Sequence, residues 1–219
     1  MPRFSSVILD VDSTLSGIEG IDWLAARRGP EVGREVARLT AEAMGGERSI
    51  EEVYGARLEV VKPTTAELAE LAEAYWENVA PGAADAIERM SAVGVRLEVV
   101  TSGLQDAVAP FVARLGVPAE RVHAVACGFD ERGDFSSFDA TGPLALQGGK
   151  RTVAERLQLT PPVLAVGDGM TDAEIRPVAD AFAAFTGFAR RDPVVAIADF
   201  TVSSFAALER LVLGTEGSA

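Results

Sequence analysis

The sequence predicts an α/β protein, a doubly wound parallel sheet with a small helical unit inserted after the first strand. Two observations carry this. Short apolar runs alternate with capped, amphipathic segments, the pattern of parallel strands covered by helices on both faces. The stretch from Ser16 to Ala80 breaks the alternation: it holds no strand-like run and reads as several helices. The expected division is a core of residues 1–15 and 81–219 and a helical unit of residues 16–80.

Ser6 to Asp10 (Ser-Val-Ile-Leu-Asp) is the first strand, an apolar run ending in a carboxylate. In the insertion, Ser49 with Glu52 and Thr64 with Glu67 make capping-box patterns, and Leu68, Leu71, Ala72 and Tyr75 continue a stripe that reads as core. Pro81-Gly82 opens a helix whose Ile87, Met90 and Val93 share one face, with Gly94 as its stop. Arg96 to Val100 is the second strand and ends at Thr101-Ser102-Gly103. A helix bearing Val108, Val112 and Leu115 then runs to Gly116, and Phe129 to Asp139, with its Glu-Arg-Gly-Asp turn, reads as a small hairpin at the rim. Lys150 to Leu157 forms the next helix, behind Gly148-Gly149. Val163 to Val166 is the third strand and ends at Gly167-Asp168-Gly169; Ala181 to Phe185 and Asp199 to Val202 complete the sheet.

Composition narrows the function. Of 219 residues, 48% are hydrophobic and 24% charged, which supports a sizeable core. The net charge of -13 repels nucleic acid and anionic membranes, so neither is expected as a partner. It also means that a phosphate site needs its own local positive charge. A single cysteine, Cys127, excludes an intramolecular disulfide; His123, the sole histidine, cannot build a histidine metal site; both read as packing residues. No apolar run approaches the roughly 18 residues of a membrane span. The first residues run straight into a strand with no secretory apolar region, so the cytoplasm is the expected compartment. The pattern sets no oligomeric state.

Each of the three main strands ends in a polar cluster, and in open α/β sheets ligands bind beyond the carboxyl ends of the strands. Asp10 and Asp12, Thr101 and Ser102, and Asp168 and Asp172 are therefore expected to converge, with Lys150 reaching the same place from the start of its helix. Four clustered carboxylates call for a cation, and an all-oxygen donor set suits Mg²⁺ rather than zinc. Such an ion, Lys150, the Thr101 hydroxyl and the N–H groups around Ser102 and Gly103 would cradle a phosphoryl group. Asp10 is then the expected nucleophile. Asp12, past the strand end, would protonate the leaving alkoxide and afterwards deprotonate the attacking water. Taken singly, each of these residues has a plainer reading as a turn former, a helix cap or a solvated charge; the ordered set argues against it.

Asp10-Val11-Asp12-Ser13-Thr14, Thr101, Lys150 and Gly167-Asp168-Gly169-Met170-Thr171-Asp172 resemble, in order, the four motifs of the haloacid dehalogenase superfamily. That resemblance implies a Rossmann-like core and phosphatase chemistry. Within the superfamily the chain is similar to phosphoserine phosphatases over nearly its whole length, through Asp10 to Leu15, Glu19-Gly20-Ile21-Asp22, Ala43-Met44-Gly45-Gly46, Arg57-Leu58, Phe138-Asp139, Gly148-Gly149-Lys150 and Gly167 to Asp172. The resemblance implies a helical cap at 16–80, Mg²⁺, and phosphoserine as a substrate in serine biosynthesis. It further implies Glu19 on the substrate ammonium, Arg57 on its carboxylate, and Met44 and Gly45 in a closing loop. Asp168 would ligate the metal with Asp10 and the Asp12 carbonyl, Asp172 would hold a metal-bound water, and Thr171 would lie near the phosphate. Arg191 matches an outer contact of the family loosely.

The second motif departs from the family's usual Ser-Gly-Gly-Phe: here it reads Thr101-Ser102-Gly103-Leu104, which adds a side chain at 102 and removes an aromatic at 104. Val125-Ala126 stands where an Asn-Arg pair is common. Two alternatives stay open on the sequence. The enzyme could act on another small phosphomonoester or pass the phosphoryl group to an alcohol, or the chain could be a receiver-type switch that merely holds it.

Overall fold

The structure is a computed structural model. It describes residues 1–45 and 47–215, with the side chains of residues 44, 45 and 50 excepted. In chain order the elements are β1 (Ser6–Leu9), α1 (Gly20–Ala26), α2 (Pro30–Gly45), α3 (Ile50–Val61), α4 (Thr65–Glu77), α5 (Ala83–Ala92), β2 (Arg96–Leu104) and α6 (Gln105–Arg114). There follow β3 (Val122–Val125), β4 (Cys127–Phe129), β5 (Phe135–Phe138), α7 (Gly149–Arg156), β6 (Val163–Gly167), α8 (Met170–Ala173), β7 (Ala181–Phe185), α9 (Asp192–Ile197), β8 (Phe200–Val202) and α10 (Phe205–Leu213).

Six strands form one parallel sheet in the order β3-β2-β1-β6-β7-β8, and β4 with β5 makes the small antiparallel hairpin expected at the rim. The chain winds outward from β1 through β2 to β3, then returns to the other side of β1 for β6, β7 and β8. A crevice therefore opens beyond the ends of β1, β2 and β6, where the order reverses. Register aligns the chemistry there: Leu9 lies opposite Val99 on one side and Val166 on the other. Asp10, Thr101 and Asp168 thus stand within two residues of a common line. The strands are apolar because both faces are covered; Val7, Leu9, Val99, Leu164 and Phe182 are fully buried.

Helices α1 to α4 fill the interval that the sequence marks as free of strands. The chain leaves and re-enters the core along one path: Ala80 N–H donates to the Leu15 carbonyl, Gly17 N–H to that of Asn78, and the Ser16 hydroxyl to that of Tyr75. Thr64 and Glu67 form the full reciprocal capping box. Ser49 and Glu52 form only its first half, because the Glu52 carboxylate lies 3.6 Å from Arg48 instead.

Three expectations need correction. Val93 does not share the buried face of α5; it is 54% exposed, because the helix ends at Ala92 and the chain turns at Gly94, whose φ is +86°. Strand β2 continues past Val100 to Leu104, since Leu104 pairs with Val125 beyond a shift in register. The edge strand β3 is an addition. His123 on it is more than packing: its Nε2 lies 3.0 Å from Glu98, a carboxylate buried within β2 and also held by Arg96 at 2.8 Å.

Candidate active site

Asp10 follows the last residue of β1, and its N–H donates to the Val166 carbonyl at 3.1 Å. Lys150 opens α7 and is 4% exposed. Its ammonium stands 2.7 Å from Asp10 Oδ1 and donates to Asp172 Oδ1 at 2.5 Å. Two glycines permit this approach. A Cβ at Gly149 would lie 1.6 Å from the Pro143 carbonyl oxygen, and one at Gly167 would lie 2.1 Å from the Asp172 carboxyl carbon. Burial works against the charge of Lys150, but Asp10 and Asp172 outweigh it and hold its pKa above the ordinary lysine value. Burial and the charge of Asp10 push Asp172 the other way from most paired acids, upward, against the pull of Lys150 and the Gly169 N–H.

Asp168 is buried, and its Oδ2 meets the Arg191 guanidinium. The same guanidinium lies 3.6 Å from Glu19. Asp10, Asp168 and Asp172 can each turn one oxygen toward a common point, the three atoms lying within 4.8 Å of one another. Asp10 Oδ1, though close to Lys150, makes no aligned hydrogen bond. Three buried carboxylates face one ammonium and one guanidinium, with Asp12 and Glu19 adjoining. This residual negative charge, offered entirely by oxygen atoms, fits a hard cation.

Asp12 sits in the seam between core and insertion. Tyr75 of α4 donates to its Oδ1 at 2.5 Å, and Gly20 N–H, at the start of α1, donates to its Oδ2 at 3.1 Å. Burial, the charge of Glu19 and that of Asp10 raise its pKa well above the usual carboxylate range, while Tyr75 and Gly20 oppose them. A carboxyl that keeps its proton is what protonation of a leaving alkoxide requires. Tyr75 therefore has two roles. Its ring is core, stacked on Phe111 at 5.4 Å, and its hydroxyl lowers the proton affinity of Asp12 against the larger upward push of burial. A hydrogen bond donated to a carboxylate favours the charged form, so removing it raises the pKa further. Tyr75→Phe is accordingly expected to move the alkaline fall of kcat/KM, where Asp12 loses its proton, to higher pH; a pH–rate profile measures this.

The turn after Asp12 is held by Ser13, a non-glycine residue at φ +54° whose hydroxyl donates to Glu19 at 2.7 Å. Burial and the charge of Asp22 raise the pKa of Glu19, with Ser13 and Arg191 opposing. Thr101 is buried, and its Oγ1 accepts from Gly103 N–H at 3.1 Å. Asp10, Asp12, Glu19, Thr101, Ser102, Gly103, Arg57 and Lys150 line one cleft, joined by Ile21 and Asp22.

Other site expectations fall differently. The Ser102 hydroxyl donates to the Leu144 carbonyl at 2.8 Å, while the Ser102 carbonyl accepts from Tyr54 of α3 at 2.7 Å. Its side chain is thus tied down rather than directed at a phosphate. Thr101 and Ser102 do not cap the next helix, whose N-cap is Leu104. Thr171 is buried with an unpartnered hydroxyl and lines a neighbouring hollow with Glu174, Arg48 and Glu52, not the cleft of Asp10. Met44 and Gly45 occupy the last turn of α2; their side chains, and all of Gly46, lie outside the described residues. Cys127 is half-buried, and burial with the charge of Asp106 pushes its thiol up to about 11, which leaves it unreactive near neutrality. No helix of the described residues is long and apolar enough to cross a membrane.

Residues 7–175 match the model of the haloacid dehalogenase-like hydrolases, and the chain belongs to that family. It is 33% identical over 208 residues to the chloroplastic phosphoserine phosphatase of Arabidopsis thaliana, covering 93% of this chain and 70% of that one. It is 36% identical to the phosphoserine phosphatase of Halobacterium salinarum, covering 94% and 96%. A solved phosphoserine phosphohydrolase-like protein from Francisella tularensis shares the fold, with a TM-score of 0.87 at 23% identity over 95% of this chain and 99% of the other. The chain is a phosphoserine phosphatase-like hydrolase.

Proposed function

We propose that this chain hydrolyses phosphoserine to serine and inorganic phosphate, carrying the phosphoryl group on Asp10. One observation supports this most. The cleft that ends at Asp10 and Lys150 also offers a carboxylate, Glu19, and a buried guanidinium, Arg57. Phosphoserine carries the three complementary charges: a phosphate, an ammonium and a carboxylate.

In the first step a carboxylate oxygen of Asp10 attacks phosphorus, the bond from phosphorus to the seryl oxygen breaks, and Asp12 gives its proton to that oxygen. Serine departs. Asp12, now ionised, takes a proton from water as the water oxygen attacks phosphorus; the bond to Asp10 breaks and both carboxyl groups return to their starting states. Lys150 and Thr101 hold phosphoryl oxygens through both steps. Asp10, Asp168 and the Asp12 carbonyl would hold Mg²⁺, with Asp172 beside them, and the ion when bound neutralises charge on the transferring group. Residues 16–80 act as the cap that closes over the substrate.

The departure at 102 does not oppose this reading, because the Ser102 hydroxyl is engaged with Leu144 and Leu104 is buried. The test is phosphate release from phosphoserine, phosphothreonine, phosphotyrosine and O-phosphoethanolamine, with Mg²⁺ and with a chelator. The expected result is a strong preference for phosphoserine that vanishes on chelation. Equal turnover of all four, or full activity with chelator present, would refute it.

A further inference from the structure

Arg57 reaches the cleft from α3, and among the described residues no acid pairs with it directly. Its Nη1 donates to the Thr40 hydroxyl of α2 at 2.8 Å, and that hydroxyl donates to Asp22 Oδ1 on α1. The direction is fixed: a guanidinium has no acceptor, so the hydroxyl proton must point to Asp22. Thr40 is 3% exposed and joins three helices through one oxygen. The guanidinium also lies over the Tyr54 ring, 5.5 Å from its centroid. The buried Nε has no partner among the described residues. With Nη1 occupied, the guanidinium keeps its Nε–Nη2 edge, and a carboxylate binds such an edge through two parallel hydrogen bonds.

We infer that Thr40 is a specificity-positioning residue, which turns Arg57 so that its Nε–Nη2 edge receives the substrate carboxylate. This rests on the reading of phosphoserine as the substrate. Asp22 acts through Thr40, orienting the hydroxyl rather than meeting the substrate. A direct Asp22–Arg57 pair would neutralise the guanidinium and compete with the ligand; the intervening hydroxyl holds it in place and leaves its charge for the cleft.

The test compares Thr40→Val, which keeps the shape and removes the hydroxyl, with Thr40→Ser, which restores it. Both are assayed on phosphoserine and on O-phosphoethanolamine, which lacks the carboxylate. Thr40→Val is expected to raise KM for phosphoserine about tenfold, with kcat little changed and O-phosphoethanolamine kinetics as in the parent. Thr40→Ser should return KM to within about threefold. If Thr40→Val melts early, Thr40→Ala supplies the same comparison, since it also removes the hydroxyl, leaves the charge of Asp22 in place, and should raise KM for phosphoserine alone. An unchanged KM for phosphoserine, or an equal loss on both substrates, overturns the proposal. A parent enzyme that does not prefer phosphoserine would instead remove the underlying reading, and this proposal with it.

Discussion

Replacing Asp10 by Asn is expected to lower turnover by about 10⁴-fold or more, as loss of a covalent nucleophile does, and to leave the fold standing. The two effects separate because of what surrounds the side chain. The backbone of Asp10 is held by Val166, and Asn has the same shape. The carboxylate itself crowds Asp172, raising the pKa of that group, so its removal relieves a repulsion. Lys150 loses one partner but keeps Asp172 at 2.5 Å. Stability is therefore expected within about 1 kcal/mol of the parent. Phosphate release and a thermal melt on the same preparation check both halves.

Lys150→Met reverses that pattern. The chain has two lysines, and Lys150 is the buried one. A lysine suits the place because a compact ammonium fits between Asp10 and Asp172, where a planar guanidinium would need more room. Removing it leaves buried carboxylates without their nearest cation, which costs about 3–5 kcal/mol. Turnover should also fall by about 10²–10³-fold through loss of a charge aimed at the phosphoryl group. The stability loss depends on pH. Asp172 already has a raised pKa in the folded state, and without Lys150 it rises further. A carboxyl of that kind carries no penalty below its ordinary value of about 4 and destabilises progressively as pH climbs through its folded value. Denaturant melts without added metal should show the variant nearest the parent at acid pH and furthest from it at neutral pH. Added Mg²⁺ should restore part of the difference by standing in as the missing cation.

Much of this was legible in the sequence. The strands β1, β6 and β7 announce themselves as apolar runs because both of their faces are covered. The site shows through because it sits where those runs stop: Asp10, Thr101 and Asp168 each follow an apolar stretch, and parallel register brings them level. Periodicity identifies a face; it does not say where a long side chain ends. Tyr75 reads as core, and its ring is core, yet its hydroxyl lands on Asp12 from a residue 63 positions away. The link from Asp22 through Thr40 to Arg57 crosses three helices whose packing no local pattern encodes. Ser102 reads as a side chain added beside the substrate, but a partner 42 residues on, Leu144, draws its hydroxyl aside. The strand β3 is short, lies at the sheet edge and is half-buried at His123 and Ala124, so it lacks the continuous apolar signal of its neighbours.

The central claim is that phosphorus is transferred twice, first to a carboxylate of the protein and then to water. The phosphorothioate analogue of phosphoserine, made chiral at phosphorus with ¹⁶O and ¹⁸O and hydrolysed in ¹⁷O-labelled water, tests it directly, because each in-line displacement inverts the configuration. Two displacements predict chiral inorganic thiophosphate with net retention of configuration. Net inversion would mean that water attacks the substrate in one step, and would contradict the role given to Asp10.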